Sequence, residues 1–249
     1  MRKMFVPTEN FIRFTETVEA VEQRGAMEAG MLLVHGEVGR GKSFVVEHWA
    51  LENGAVFLRA NVDWTPKYFL KELAKTLVVD SRGTAQQLFE RVLEKVAERQ
   101  CPIVIDESEF TLRNNAEVAE KIRDISDRAE NIVVLIGMDR IRQMIARHKQ
   151  LSRRIAQVVE FKGISPADVG HACSKLAEVT IQPALCAEIY TLAKGRMSEV
   201  LNIIANVERI AKLSGLPIID VADVQGLPLS YDWINGKASG IGKARKEAA

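Results

Sequence analysis

A chain of 249 residues, 47% hydrophobic and 27% charged, has ample apolar material for one large domain or for a core domain with a small appendage. Its formal net charge of +1 argues for no bulk electrostatic partner, so contact with nucleic acid has to come from local clusters or from many subunits each supplying a few phosphate contacts. No run approaches the ~18 apolar residues of a membrane span, Met1 to Pro7 hold no stretch long enough for a secretory signal, and three cysteines without metal-ligand spacing (Cys101, Cys173, Cys186) read as reduced thiols of a cytoplasmic protein.

Taken in chain order, Met31 to His35 is a short apolar run that reads as a buried strand. It ends directly in a glycine loop, Gly36-Glu37-Val38-Gly39-Arg40-Gly41-Lys42-Ser43. After the loop, Phe44, Val45, Val46 and Trp49 suit a helix packed on a sheet. Residues 55–59, 103–106, 131–136 and 158–161 read as further strands. Between them Leu70, Leu73 and Leu77, then Leu88, Val92 and Val96, then Val118, Ile122, Ile125 and Ala129 recur every three or four residues. Each set is the apolar stripe of a helix facing a sheet. Strands alternating with helices predict an α/β fold whose parallel sheet is covered on both faces.

The character changes near Gly163, beyond which helix signals dominate and no strand-like run is evident. Ser165-Pro166-Ala167-Asp168 is a helix start, with an N-cap serine, a proline in the first turn and an acid at the positive dipole end. Pro183 starts a second helix that Gly195 can end, and a third runs from about Met197 to Leu213. The expected division is an α/β nucleotide-binding core at 1–163, a small helical domain at 164–228 and a mobile, basic, glycine-rich tail at 229–249.

Gly36, Gly39 and Gly41 let backbone N–H groups converge on phosphate oxygens where side chains would obstruct them. The helix that follows adds the positive end of its dipole, Lys42 reaches the β and γ phosphates, and the Ser43 hydroxyl suits Mg²⁺. With Arg40 inside the loop and Phe44 just past it, this segment is the expected ATP-binding surface. Asp106 closes an apolar strand, where a carboxylate holds the magnesium shell together with Ser43. Glu107 is the candidate to orient and polarise the attacking water. No Asn-Lys-x-Asp guanine motif occurs, which argues against a small GTPase.

The glycine loop, the strand ending Asp106-Glu107, the later strand leading into Gly137-Met138-Asp139-Arg140, the Arg153-Arg154 pair, and a helical region whose third helix begins at Gly195-Arg196 together resemble the AAA+ ATPases. Within them, the stretch from Ile132 to Ile141 and the compact length are similar to the transposition regulators, namely the phage Mu B, TnsC, TniB and IstB-like proteins. The resemblance implies a P-loop AAA+ sheet with a C-terminal helical lid. It implies that Arg154 or Arg153 is an arginine finger completing the neighbouring subunit's site. It implies that Arg196 is a second sensor touching ATP in its own subunit. The first sensor, a polar residue just past the fourth strand, is missing: Gly137 and Met138 sit there, and Asp139 is the nearest polar group.

For DNA, the resemblance points to the stretches 59–71 and 81–84. Arg59, Lys67, Lys71 and Arg82 are candidate phosphate contacts there, and Asn61 and Thr84 candidate hydrogen-bond donors to backbone oxygens. The expected protein is an ATPase that assembles as a homo-oligomeric ring or helical filament on duplex DNA, without sequence preference. It presents that DNA to a transposase in a bacterial or phage-infected cell. The alternatives are a helicase-loader-like AAA+ ATPase of DNA replication and a protein-remodelling AAA+ module that binds no DNA.

Overall fold

The computed structural model describes residues 1–23, 30–232 and 237–242. Part of the expected basic tail, at 233–236 and 243–249, lies outside the described residues. By its internal contacts the chain divides into two compact units. One comprises residues 11–37 and 42–161, the other residues 1–10, 38–41 and 162–249.

The larger unit follows an alternating order. It contains most of α1 (Glu9–Glu22), then β1 (Met31–His35), α2 (Lys42–Glu52), β2 (Val56–Arg59), α3 (Pro66–Thr76) and α4 (Ala85–Arg99). It continues with β3 (Ile103–Asp106), α5 (Glu117–Ala129), β4 (Val133–Ile136), α6 (Ile141–Ala146), α7 (Lys149–Ser152) and β5 (Ile155–Glu160). The strands form one all-parallel sheet in the order β2-β3-β4-β1-β5. Every residue of β1, β3 and β4 is buried, as helices on both faces of a parallel sheet require, whereas β2 and β5 are edges with exposed positions.

Because side chains alternate along a strand, each strand contributes to two cores. On one face Met31, Leu33, Leu58, Ile103, Ile105, Val133 and Leu135 join Leu70, Leu73, Leu88, Val92, Val96, Ile122 and Ile125 of α3, α4 and α5. Leu32, Val34, Val104 and Val134 alternate to the other side and are equally buried. The expected stripes of α3, α4 and α5 are all in place. That of α2 is shifted: Val45, Val46 and Trp49 are buried, but Phe44 is 61% exposed. The helix α1 is absent from the sequence-based expectations, although Phe14, Val18 and Val21 carry a helical spacing and are buried. Phe14 meets the Trp49 ring edge-on, centroids 5.4 Å apart.

The smaller unit packs α8 (Pro166–Leu176), α9 (Pro183–Ala193) and α10 (Met197–Leu213) around Val169, Leu185, Ile189, Val200, Ile204 and Val207. The start of α8 is a reciprocal capping box, in which Ser165 Oγ accepts from the Asp168 N–H at 3.2 Å and Asp168 accepts from the Ser165 N–H at 3.3 Å. This unit is not purely helical, a correction to the expectation. Two-residue strands β6 (Thr180–Ile181) and β7 (Ile218–Ile219) pair in parallel, α11 (Val221–Val224) follows, and β8 (Ser230–Asp232) pairs antiparallel with β9 (Lys237–Ser239). Strands this short carry no period-2 signal. Among the described residues no helix is long and apolar enough to cross a membrane.

Candidate functional site

The C-terminal ends of β1 and β3 open on the same edge of the sheet, with β4 between them, the place where open parallel sheets bind ligands. β1 runs straight into Gly36, whose φ is +150°. A Cβ there would lie 2.6 Å from the Phe161 carbonyl oxygen, so only glycine lets the chain leave the strand at this point. Lys42 opens α2, and its ammonium donates to the carbonyls of Gly36 (2.5 Å) and Glu37 (2.9 Å). The lysine thus folds back onto the first two residues of its own loop.

Next to Lys42, Ser43 Oγ donates to Asp106 Oδ1 at 3.1 Å. Asp106 is 3% exposed and fully engaged. Its Oδ1 also accepts from the Glu107 N–H at 2.9 Å, and its Oδ2 accepts from Arg59 Nε at 3.0 Å. A buried carboxylate held by a hydroxyl, a backbone N–H and a guanidinium is compensated rather than stranded. A hydroxyl and a carboxylate already in contact at a helix N-terminus are the oxygen donors that Mg²⁺ takes alongside phosphate and water, so these residues fit the ion.

Glu107 stands in the left-handed region at φ 54° and is half-buried. Burial first, then the neighbouring charges of Asp106 and Glu109, push its carboxyl above the ordinary value. Burial lowers the Lys42 ammonium, opposed by Asp139, Glu109, Asp106 and Glu107. Two acids of this group are not among the site residues expected from sequence. Glu109 is buried two positions past Glu107, and Asp139 pairs with the buried His35, Nδ1 to Oδ1 at 3.2 Å.

The two candidate finger residues part company. Arg154 is committed within its own subunit, its Nε donating to Asp127 Oδ1 and Oδ2 at 2.8 and 3.0 Å. Arg153 is exposed and makes no side-chain hydrogen bond or ion pair among the described residues.

The candidate DNA residues also separate. Arg59 is held by Asp106. Asn61 Oδ1 accepts from the Asp63 N–H at 3.0 Å, and Thr84 caps α4, accepting from the Gln87 N–H at 3.2 Å. Arg82 pairs with Asp80 at 3.1 Å yet stays 91% exposed. Lys67 and Lys71, four apart and so on one side of α3, are exposed with no side-chain partner among the described residues.

In the smaller unit, Gly39 (φ +83°) lies against the start of α10: a Cβ there would come within 2.9 Å of Ser198 Oγ and 3.4 Å of Arg196 Cβ. The Ser198 N–H donates to the Gly39 carbonyl at 3.3 Å, and Arg196 is exposed. Arg40 reaches the same region. Its Nη1 donates to the Gly195 carbonyl and, at 3.4 Å, to that of Lys194.

Residues 24–145 match the family model described as an AAA domain. No curated protein sequence matches the chain. Among solved structures, the Orc1 protein of Aeropyrum pernix in complex with DNA is similar at TM-score 0.60 and 16% identity, covering 88% of this chain and 64% of that one. Cdc6p from Pyrobaculum aerophilum is similar at TM-score 0.62 and 16% identity, covering 90% and 68%. A Walker-type ATPase of Pyrococcus abyssi is similar at TM-score 0.64 and 14% identity, covering 83% and 68%. The chain thus spans just under two thirds of the Aeropyrum protein's length. Likeness at such identities is likeness of fold, and the fold is the α/β P-loop AAA+ fold.

Proposed function

We propose that this chain is an AAA+ ATPase that binds ATP with Mg²⁺ on Gly36–Ser43 and assembles, nucleotide between subunits, on duplex DNA. The observation that carries the reading is the contact of Ser43 with the buried Asp106 beside the folded-back Lys42. Ser43 and Asp106 would hold the magnesium ion, which would supply positive charge to offset that of the phosphates. Lys42 exchanges its two loop carbonyls for phosphate oxygens. The half-buried Glu107, kept basic by its neighbours, takes up the attacking water. Arg196 reports on the bound nucleotide from the start of α10, beside Gly39.

Arg153 is the better arginine finger. A finger has to reach another subunit, and Arg154 spends its guanidinium on Asp127. Lys67 and Lys71 supply phosphate contacts to duplex DNA, made without regard to base and therefore sensitive to salt. Arg59, Asn61 and Thr84 are occupied elsewhere and take secondary parts at most.

For the partner, the transposition reading rests on the layout around residues 132–141 and makes the product of assembly a target presented to a transposase. A second reading, a loader or initiator in replication, is favoured by the fold likeness to an Orc1 protein solved with DNA and to Cdc6p. Duplex-DNA binding by fluorescence anisotropy, with and without a non-hydrolysable ATP analogue, tests the shared core of both. Cooperative binding only with nucleotide is expected. Absence of binding in either condition removes the DNA-assembling reading and leaves an ATPase acting on protein. Stimulated strand transfer by a transposase against stimulated helicase loading then separates the two partners.

A further inference from the structure

Position 137, just past β4, carries no side chain, and the space where one would stand is already filled. A Cβ on Gly137 would lie 2.5 Å from Ile141 Cδ1, 2.9 Å from Glu109 Oε1 and 3.0 Å from Glu109 Cδ. The occupant comes from the neighbouring strand end: Glu109 follows β3 on a short 3-10 turn, Ser108–Leu112, and points inward, 7% exposed. Its Oε1 accepts from the Met138 N–H, tying the turn after β3 to the turn after β4. Its Oε2 is buried and has no hydrogen-bond partner. Asp139, the acid that itself lies past β4, is turned to His35 and has a 56% exposed side chain.

We infer that Glu109 replaces the polar side chain missing at Gly137, as a positioning residue. Through Oε1 it holds the turn after β4, and through Oε2 it accepts a hydrogen bond from the water that Glu107 activates. The inference rests on the reading of Gly36–Ser43 as the ATP site. A carboxylate is an acceptor only, so it cannot donate to a γ-phosphate oxygen as an asparagine or threonine would. Beside the Lys42 ammonium, on which it also acts, the donor that substrate binding brings to this place is water. A buried carboxylate oxygen left unmade is costly, and a water ordered with the substrate satisfies it. Electrostatics agree with the placement, since Glu109 acts on both Lys42 and Glu107.

The decisive variant is Glu109→Gln in the full chain. Gln keeps a carbonyl oxygen for the Met138 N–H and replaces the second acceptor by a donor. Expected are an unchanged melting temperature, unchanged binding of a fluorescent ATP analogue, about a tenfold or greater loss of kcat at unchanged KM, and ATP rather than ADP retained on the protein after incubation. Wild-type turnover and wild-type nucleotide content in Glu109→Gln overturn the inference and leave Glu109 a structural tie.

A swap adds a second arm. In Glu109→Ala the Glu109 side of the crowding at 137 is relieved and only Ile141 Cδ1, the far end of its side chain, has to turn aside, so adding Gly137→Asn should restore part of the lost turnover, whereas a folded double variant no faster than Glu109→Ala counts against the inference. The ATP-site reading fails separately. If the wild type binds no ATP analogue, or Lys42→Ala binds it equally well, that reading falls and the inference falls with it.

Discussion

Arg59 and Asp106 stand opposite each other in register across β2 and β3, and Arg59 Nε donates to Asp106 Oδ2 at 3.0 Å. The arginine is 61% exposed and the aspartate 4%. A surface cation therefore has one end in solvent and the other on the most deeply buried acid of the site. Removing it leaves the carboxylate with the Ser43 hydroxyl and the Glu107 N–H but without its paired cation, so Arg59→Met should lose about 1–2 kcal/mol, the upper end being limited by the exposure of the arginine. In a domain of this size that is a fall of roughly 2–8 °C in melting temperature. Adding ATP with Mg²⁺ should recover much of the fall, because a cation held by Ser43 and Asp106 would offset the carboxylate's charge. Differential scanning fluorimetry with and without nucleotide reads both.

Lys42→Ala should abolish binding of an ATP analogue while leaving the melting temperature of the nucleotide-free protein nearly unchanged. The ammonium bonds only its own loop's carbonyls there, at 2.5 and 2.9 Å. Equilibrium fluorescence titration is the measurement, and tight binding by the variant would remove the lysine from the site.

Glu107→Gln should trap an ATP-bound, DNA-bound assembly. Its stability should also depend on pH in a defined direction. A carboxyl raised above its ordinary value of 4.5 in the folded state binds its proton more tightly there than in the unfolded chain. Wild-type stability then falls as pH rises from about 4.5 through the raised folded value, because the charged form is the disfavoured one. Glutamine lacks that penalty, so the variant should melt higher than wild type at neutral pH, and the difference should vanish below pH 4.5. Melting curves across that range test the sign.

Arg153→Ala and Arg154→Ala should fail in different ways. The first leaves the isolated subunit untouched and lowers hydrolysis in the assembly by about a thousandfold. The second loses the Asp127 pair, half-exposed on both sides, and costs about 0.5–1 kcal/mol of subunit stability. If Arg154→Ala alone abolishes assembly-dependent hydrolysis at unchanged stability, the finger is Arg154.

Replacing Lys67 and Lys71 together by alanine should weaken duplex binding equally on all sequences. It should also reduce the slope of log K against log salt by about 2, one unit for each phosphate no longer neutralised. An unchanged slope places the DNA elsewhere.

The sheet and its helices were legible because their signals are periodic. The apolar runs at 31–35 and 103–106 and the stripes of α3, α4 and α5 repeat at spacings that only a strand or a helix produces. The glycine loop was legible because its chemistry is local in sequence. What escaped depends on register or on contact at a distance. That Arg59 faces Asp106 follows from β2–β3 pairing, which no local pattern announces. That Glu109 points inward depends on a 3-10 turn after β3, and that Met1 pairs with Glu208 spans 207 residues of chain. α1 was the exception: its signal, Phe14, Val18 and Val21, was present and readable.

Arg40 occupies a loop position where the glycine pattern tolerates any side chain, yet its guanidinium closes on a backbone carbonyl at Gly195. There a Cβ would collide with Nη1, and at Gly163 it would come within 2.9 Å. The three positions should therefore covary across homologous chains. Where 40 holds a short side chain, 163 becomes free to accept alanine or serine, while 195, still bound to its left-handed φ of +74°, relaxes only as far as asparagine. A loop read from its phosphate chemistry alone would assign Arg40 no constraint, but the fold writes one for it far downstream, at 163 and 195.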